Sequence, residues 1–147
     1  MILLSSALEF NVKIKIKIKM NKLIIDAANE KIFLMLINKD NIYSITHENT
    51  KINYEKLILL IKDFLLSNEF DYNNISAIYI NRGPGSFAGI RNSLSVVKAI
   101  FLAKKIDYFC YSFQDFKTSE NTKYENIPNL CDKYQIKKNL INPIYSS

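Results

Sequence analysis

The chain has 147 residues, 48% of them hydrophobic, with three glycines, three prolines, two cysteines and a formal net charge of +6. That length suits one domain with a core of its own, the scarcity of Gly and Pro excludes a linker-like chain, and the longest apolar runs (32–37 and 57–61) are too short to cross a membrane. The positive charge does not indicate nucleic acid: residues 1–19 carry four lysines against one glutamate, only Arg82 and Arg91 are arginines, and no dense basic cluster is interleaved with aromatics.

The opening MILLSSAL lacks the preceding basic residues of a secretory signal. It runs into VKIKIKIKM, an alternation of apolar residues and lysine that suits a strand with one apolar face. Met20 then starts afresh with NKLIID, so residues 1–19 are expected to lie outside the domain, either disordered or as an added edge strand. Residues 22–27 predict a buried strand ending at Asp26, 31–38 a second strand, and 42–47 a third of alternating character. Short polar turns between them predict an antiparallel meander. Residues 53–67 carry a helical period with Leu57, Ile61, Phe64 and Leu65 on one face, while Ile58 and Leu59 widen the apolar surface beyond one buried face. A strand at 76–81, a long helix at 86–105 and a strand at 106–111 follow, giving the order βββαβαβ: an α/β domain with helices on a mixed sheet. Residues 117–147, polar and aperiodic with Pro128 and Pro143, are expected to form an irregular tail. Cys110 and Cys131 suit a reducing compartment rather than a disulfide framework, so a cytoplasmic location is expected.

All three glycines fall in NRGPGSFAGIR, residues 81–91. Gly83 and Gly85 flank Pro84 and permit positive φ on both sides of it. Ser86 can cap the following helix, and Gly89 in its first turn costs about 1 kcal/mol against alanine. Either a phosphate is cradled here or another backbone comes very close. A P-loop is excluded because no Gly-Lys-Ser/Thr follows. A dinucleotide fingerprint lacks its acid at the end of the next strand, where Asp107 stands at the start instead. A nucleophile elbow fails on spacing, since Ser86 directly follows Gly85. Along the helix, Phe87, Ile90, Leu94, Val97 and Phe101 form a large apolar stripe suited to the sheet. Ala88, Asn92, Ser95, Ala99 and Ala103 form a second stripe of small residues, which would let another helix approach closely. That neighbour is either a helix of the same domain or a partner's, and the over-apolar segment 53–67 favours a shared helical interface.

Three segments together, IDAANE at 25–30, YEKL at 54–57 and RGPGSFAGIR at 82–91, resemble the TsaB (YeaZ) family, a bacterial subunit needed to make N6-threonylcarbamoyladenosine (t6A) in tRNA. The resemblance covers residues 20–116 and implies the N-terminal lobe of an actin/Hsp70-like (ASKHA, ribonuclease H-like) fold. The second lobe of that family needs far more chain than residues 117–147 supply, so it is expected to be missing or vestigial. The resemblance further implies a noncatalytic subunit that pairs through N-terminal-lobe helices with a homologous TsaD-like subunit. In the family that partner holds the metal and transfers the threonylcarbamoyl group, a TsaE-like ATPase joins the assembly, and tRNA is engaged only indirectly.

In that role Leu57, Ile61, Ala88, Asn92, Ser95, Ala99 and Ala103 would form the partner interface, and Gly83, Pro84, Gly85, Ser86, Gly89 and Arg91 a structural loop. No catalytic residue, metal ligand or cofactor is expected on this chain, since ATP and metal would sit on the partner subunits. The M22 glycoprotease-like label that accompanies the family finds no protease constellation here, because His47 is the only histidine. Departures from the family pattern at Ala27, Asn29, Asn53-Tyr54, Ala88, Asn92 and Ser93 weaken a nucleotide-binding role and leave the packing features standing. Asp26 stands as a vestigial nucleotide or cation site, or simply as a residue that caps its own turn. Two rivals stay open: an ASKHA-type nucleotide-binding enzyme using Asp26 and the glycine loop, and a lobe that self-associates as a homodimer through the same helices.

Overall fold

A computed structural model describes residues 20–117 and 122–145; the expected extension at 1–19 lies outside them. Strands β1 (Asn21–Asp26), β2 (Lys31–Ile37) and β3 (Ile42–Glu48) form the antiparallel meander. Strands β4 (Ile75–Asn81) and β5 (Asp107–Tyr111) add in parallel on the far side of β1, giving the sheet order β3-β2-β1-β4-β5. Alternation places Ile32, Leu34 and Leu36 of β2 under the helices, with Met35 and Ile37 partly covered on the opposite face. In β1 both faces are buried, Leu23 and Ile25 on one side and Ile24 on the other, which is why this strand reads as a continuous apolar run.

The helix expected at 53–67 is two helices. Thr50 caps α1 (Lys51–Glu55), its hydroxyl accepting the Asn53 N–H at 3.2 Å, and the chain turns at Lys56 before α2 (Leu57–Ser67). Ser86 caps α3 (Phe87–Lys104) by accepting the Gly89 N–H at 3.2 Å, and Lys105, in the left-handed conformation, ends it. These helices bury Tyr54, Leu57, Ile61, Phe64, Ile90, Leu94 and Val97 against the first face of the sheet.

The C-terminal part is not an irregular tail. Helix α4 (Ile127–Lys133) buries Ile127, Pro128 and Cys131, and with Phe116 and Tyr111 it builds a second core on the opposite face. Pro128 sits in the first turn of α4, where its missing N–H leaves no helical bond unmade, so this proline opens the helix rather than breaking it. Beyond α4 the chain returns along β5. Asn139 accepts the Tyr108 N–H through its side chain (2.9 Å) and donates its own N–H to the Tyr108 carbonyl (2.7 Å), and Lys138 bridges to Phe109. This segment covers an edge that would otherwise present unpaired backbone groups. Arg82 ties it down: its guanidinium pairs with Asp115 at 2.6 Å and donates to the Asn142 carbonyl at 3.1 Å. Among the described residues no helix is long and apolar enough to cross a membrane.

Candidate functional site

The glycine loop joins β4 to α3 beside the β1–β2 turn, and each glycine is there because another backbone is close. A Cβ at Gly89 would run into the Ala27 carbonyl oxygen, one at Gly85 into that of Ala28, and one at Gly83 into that of Ile144. Of the two glycines expected to take positive φ, only Gly83 does (+110°); Gly85 is required by the approach of Ala28 and not by its own dihedrals. Three of the N–H groups that a phosphate cradle would offer are engaged within the chain. The Gly83 N–H donates to Asn81 Oδ1 (2.9 Å), the Ser86 N–H to the Ala28 carbonyl (2.8 Å) and the Gly89 N–H to Ser86 Oγ. The Tyr54 hydroxyl lies 3.2 Å from the same Ser86 Oγ, linking α1 to the start of α3.

Asp26 is 1% exposed, and protein donors surround its carboxylate. Oδ1 accepts the Ala28 N–H at 3.0 Å. Oδ2 accepts from Asn81 Nδ2 at 3.1 Å, Asn29 Nδ2 at 3.2 Å and the Tyr124 hydroxyl at 2.6 Å. Four donors from three separated segments satisfy the charge that burial would otherwise penalise. Burial, and then the nearby Asp26 charge, push the Tyr124 phenol well above its ordinary value, which keeps it a neutral donor. The Tyr124 ring stacks on Phe33 with centroids 4.3 Å apart and walls one side of an open hollow of about 680 Å³ that Ala28, Lys31 and Ser86 also line. Asp26 thus organises a junction of the β1–β2 turn, the end of β4 and the C-terminal segment.

The predicted interface divides. Leu57 and Ile61, at 1% and 0% exposure, belong to the core and cannot meet a partner. Their face of α2 is turned inward, and Ile58, Leu59 and Leu66 point outward instead. Ala88, Ser95, Ala99 and Ala103 are exposed along α3, with Asn92 partly so. The polar members of this stripe fold back on their own helix: Asn92 Nδ2 donates to the Ala88 carbonyl at 2.7 Å and Ser95 Oγ to the Arg91 carbonyl at 2.8 Å. The result is a face of short side chains. Phe87, expected on the sheet side, is 56% exposed and packs on the Tyr145 ring at 4.7 Å. Beside the stripe, a groove of about 550 Å³ runs between α1 and α3, lined by Lys51, Tyr54, Glu55, Phe87, Ala88, Arg91, Asn92 and Ser95. Lys51, Tyr54 and Phe87 were not anticipated as part of this surface. Nothing local marks Tyr124 either, since it reaches Asp26 from 98 positions away.

No family model matches the chain. It is 28% identical over 87 residues to a protein named tRNA threonylcarbamoyladenosine biosynthesis protein TsaB from Buchnera aphidicola subsp. Schizaphis graminum, covering 59% of this chain and 41% of that protein. A second TsaB, from Buchnera aphidicola subsp. Baizongia pistaciae, is 32% identical over 74 residues, covering 44% and 34%. The chain therefore matches about two fifths or less of the length of these curated relatives. Its fold superposes on YeaZ from Pseudomonas aeruginosa with a TM-score of 0.58 at 23% identity, over 63% of this chain and 43% of that one. The same values hold for a crystal structure described as an uncharacterized protein with similarity to peptidase YeaZ from that organism. The fold likeness covers the mixed sheet and its helices, and the sequence likeness runs to proteins that bear the same name. Over the region it shares with them, the chain is similar in sequence to proteins named TsaB and in fold to YeaZ, and it spans only part of their length.

Proposed function

We propose that this chain is a noncatalytic partner subunit in t6A biosynthesis, docking on a TsaD-like catalytic subunit through the outer faces of α1 and α3. The observation that carries this reading is the exposed small-residue face of α3 beside the α1–α3 groove. Small side chains let two helix backbones come close. The names of the curated relatives support the process. A TsaE-like ATPase and tRNA would then meet this chain only through the assembled complex, in the cytoplasm, with ATP and metal held by the other subunits. The nucleotide-binding alternative is less well supported, because the carboxylate of Asp26 and the Gly83, Ser86 and Gly89 amides already have partners within the chain.

The test is a reconstitution of threonylcarbamoyl transfer to tRNA with purified TsaD-like and TsaE-like subunits. Adding this chain is expected to raise t6A formation, while the chain without the TsaD-like subunit gives none. Unchanged t6A in the presence of the chain contradicts the proposal.

A further inference from the structure

The two edges of the sheet are unlike. The segment after α4 covers β5, whereas among the described residues no strand pairs with the outer side of β3. Natural edge strands are blunted by shortness, bulges, lysine or proline. β3 has none of these: its seven residues pair with β2 without a bulge, and IYSITHE contains no lysine in a chain where lysine abounds. The hairpin shows which backbone groups are open. The Asn38 N–H donates to the Asn41 carbonyl at 2.9 Å. Because an antiparallel ladder alternates, Tyr43, Ile45 and His47 then bond to β2, while Ile42, Ser44, Thr46 and Glu48 turn their groups outward. Glu48 is already engaged: its carbonyl accepts the Thr50 N–H at 3.0 Å and Asn53 Nδ2 at 2.7 Å, and its carboxylate pairs with Lys31 Nζ at 2.8 Å. What stays open is the uncharged stretch 42–46, with Ser44 at its centre.

We propose that β3 is a self-pairing edge: two copies of the chain join antiparallel through it, with the two-fold axis at Ser44 and one sheet running through both. In this register Ser44 faces Ser44 of the second copy and Ile42 faces its Thr46, each pair exchanging both backbone hydrogen bonds. No open backbone group in 42–46 is left over. Tyr43 and Ile45 stand opposite Leu36 and Leu34 of β2, on the face under the helices. Across the axis Tyr43 meets Ile45 of the second copy, an aromatic and β-branched pair of the kind that stabilises sheets. The pairing also covers Ile42 and Ile45, now 49% and 38% exposed. Charge favours a second copy over other strands. Each chain carries +6, yet this register sets no charged side chain against a like charge. The lysine-alternating run at 13–19 would find no unpaired carboxylate on the edge. Helix α3 packs over β4 and β5, on the other side of β1, so its exposed face stays free and the inference stands apart from the proposed function.

The test is light scattering on size-exclusion fractions of the full chain, without any partner and at concentrations well above micromolar. It compares wild type, S44K, S44E and an equimolar mixture of the two variants. Ser44 is exposed, and circular dichroism establishes that both variants are folded. Wild type is expected at the mass of two chains. Each variant alone is expected at the mass of one, because its new charge meets the same charge directly across the axis. The mixture, in which lysine faces glutamate, is expected to return to the mass of two. A wild-type monomer overturns the inference; if its Ile42, Ser44 and Thr46 amides are nevertheless slow to exchange deuterium, the edge is taken by a segment of the same chain. A dimer that survives both substitutions shows that the copies meet elsewhere, and a mixture that stays monomeric shows that Ser44 does not lie on the axis. Either result also overturns the inference, and neither bears on docking to the TsaD-like subunit.

Discussion

Gly89 shows how one residue type can be set by a neighbouring strand rather than by its own helix. Alanine there would favour α3 by about 1 kcal/mol on propensity alone. Its Cβ, however, would meet the Ala27 carbonyl oxygen and lie 3.1 Å from the Tyr54 hydroxyl. The collision outweighs the propensity, so G89A is expected to lower stability by about 1–3 kcal/mol, the usual cost of overpacking. Urea unfolding checks this, and a raised midpoint contradicts it. The thiols give a second prediction. Burial pushes Cys110 and Cys131 from an ordinary 9.0 up to about 12. A raised acid keeps its proton in the folded state after the unfolded chain has lost it, so the stabilisation is full below about pH 9 and is lost as pH rises toward 12. Thermal unfolding between pH 8 and 11 is expected to show a midpoint that falls from about pH 9 upward, and C110A/C131A is expected to flatten that fall. A midpoint that rises over this range contradicts the burial account. The crowding of glycine into one loop was legible because the chain has so few, and Asp26 was legible as the polar end of an apolar strand. The Tyr124 contact was not, since residues far apart in sequence leave no local mark of meeting.

At the scale of elements, the five strands and the helical character of 53–67 and 86–105 followed from periodicity, and the misreadings came from segments where periodicity carries little. The period of segment 57–67 put Leu57, Ile61, Phe64 and Leu65 on one face, but the segment is apolar on so many sides that the pattern did not say whether that face meets the sheet or a partner. Packing of α2 against the sheet decides it, burying Leu57 and Ile61 and leaving Leu59 and Leu66 at 53% exposure each. Helix α4 has only seven residues, about two turns, too few for a helical stripe to emerge from a polar background. Its burial nevertheless makes a firm prediction. Ile127 is fully buried in the second core, so I127A is expected to destabilise the whole domain by about 2–4 kcal/mol. Chemical denaturation monitored by circular dichroism measures it. A change below about 0.5 kcal/mol, as for a surface substitution, would mean that α4 is not part of the cooperative unit.

For the molecule as a whole, the described residues close the sheet on both faces, with α1, α2 and α3 on one and the C-terminal segment on the other. The α/β class and the mixed sheet were readable in the chain; the second layer was not, because it comes from residues with no strong period. In the proposed function the exposed face of α3 is the docking surface, and its side chains are short or, like Asn92 and Ser95, bond back to their own helix. A bulky residue in the centre of that face should hold a partner off without disturbing the core. A99L is therefore expected to leave the unfolding midpoint of the chain alone within about 0.5 kcal/mol and to weaken partner binding by about 1–3 kcal/mol, as overpacking does. The central claim is that this chain is a docking subunit, and light scattering on size-exclusion fractions of the chain mixed with its cognate TsaD-like subunit tests it most directly. The account predicts a one-to-one complex that forms with wild type and is weakened by A99L. Two separate peaks at the masses of the isolated proteins, at concentrations well above micromolar, would contradict it.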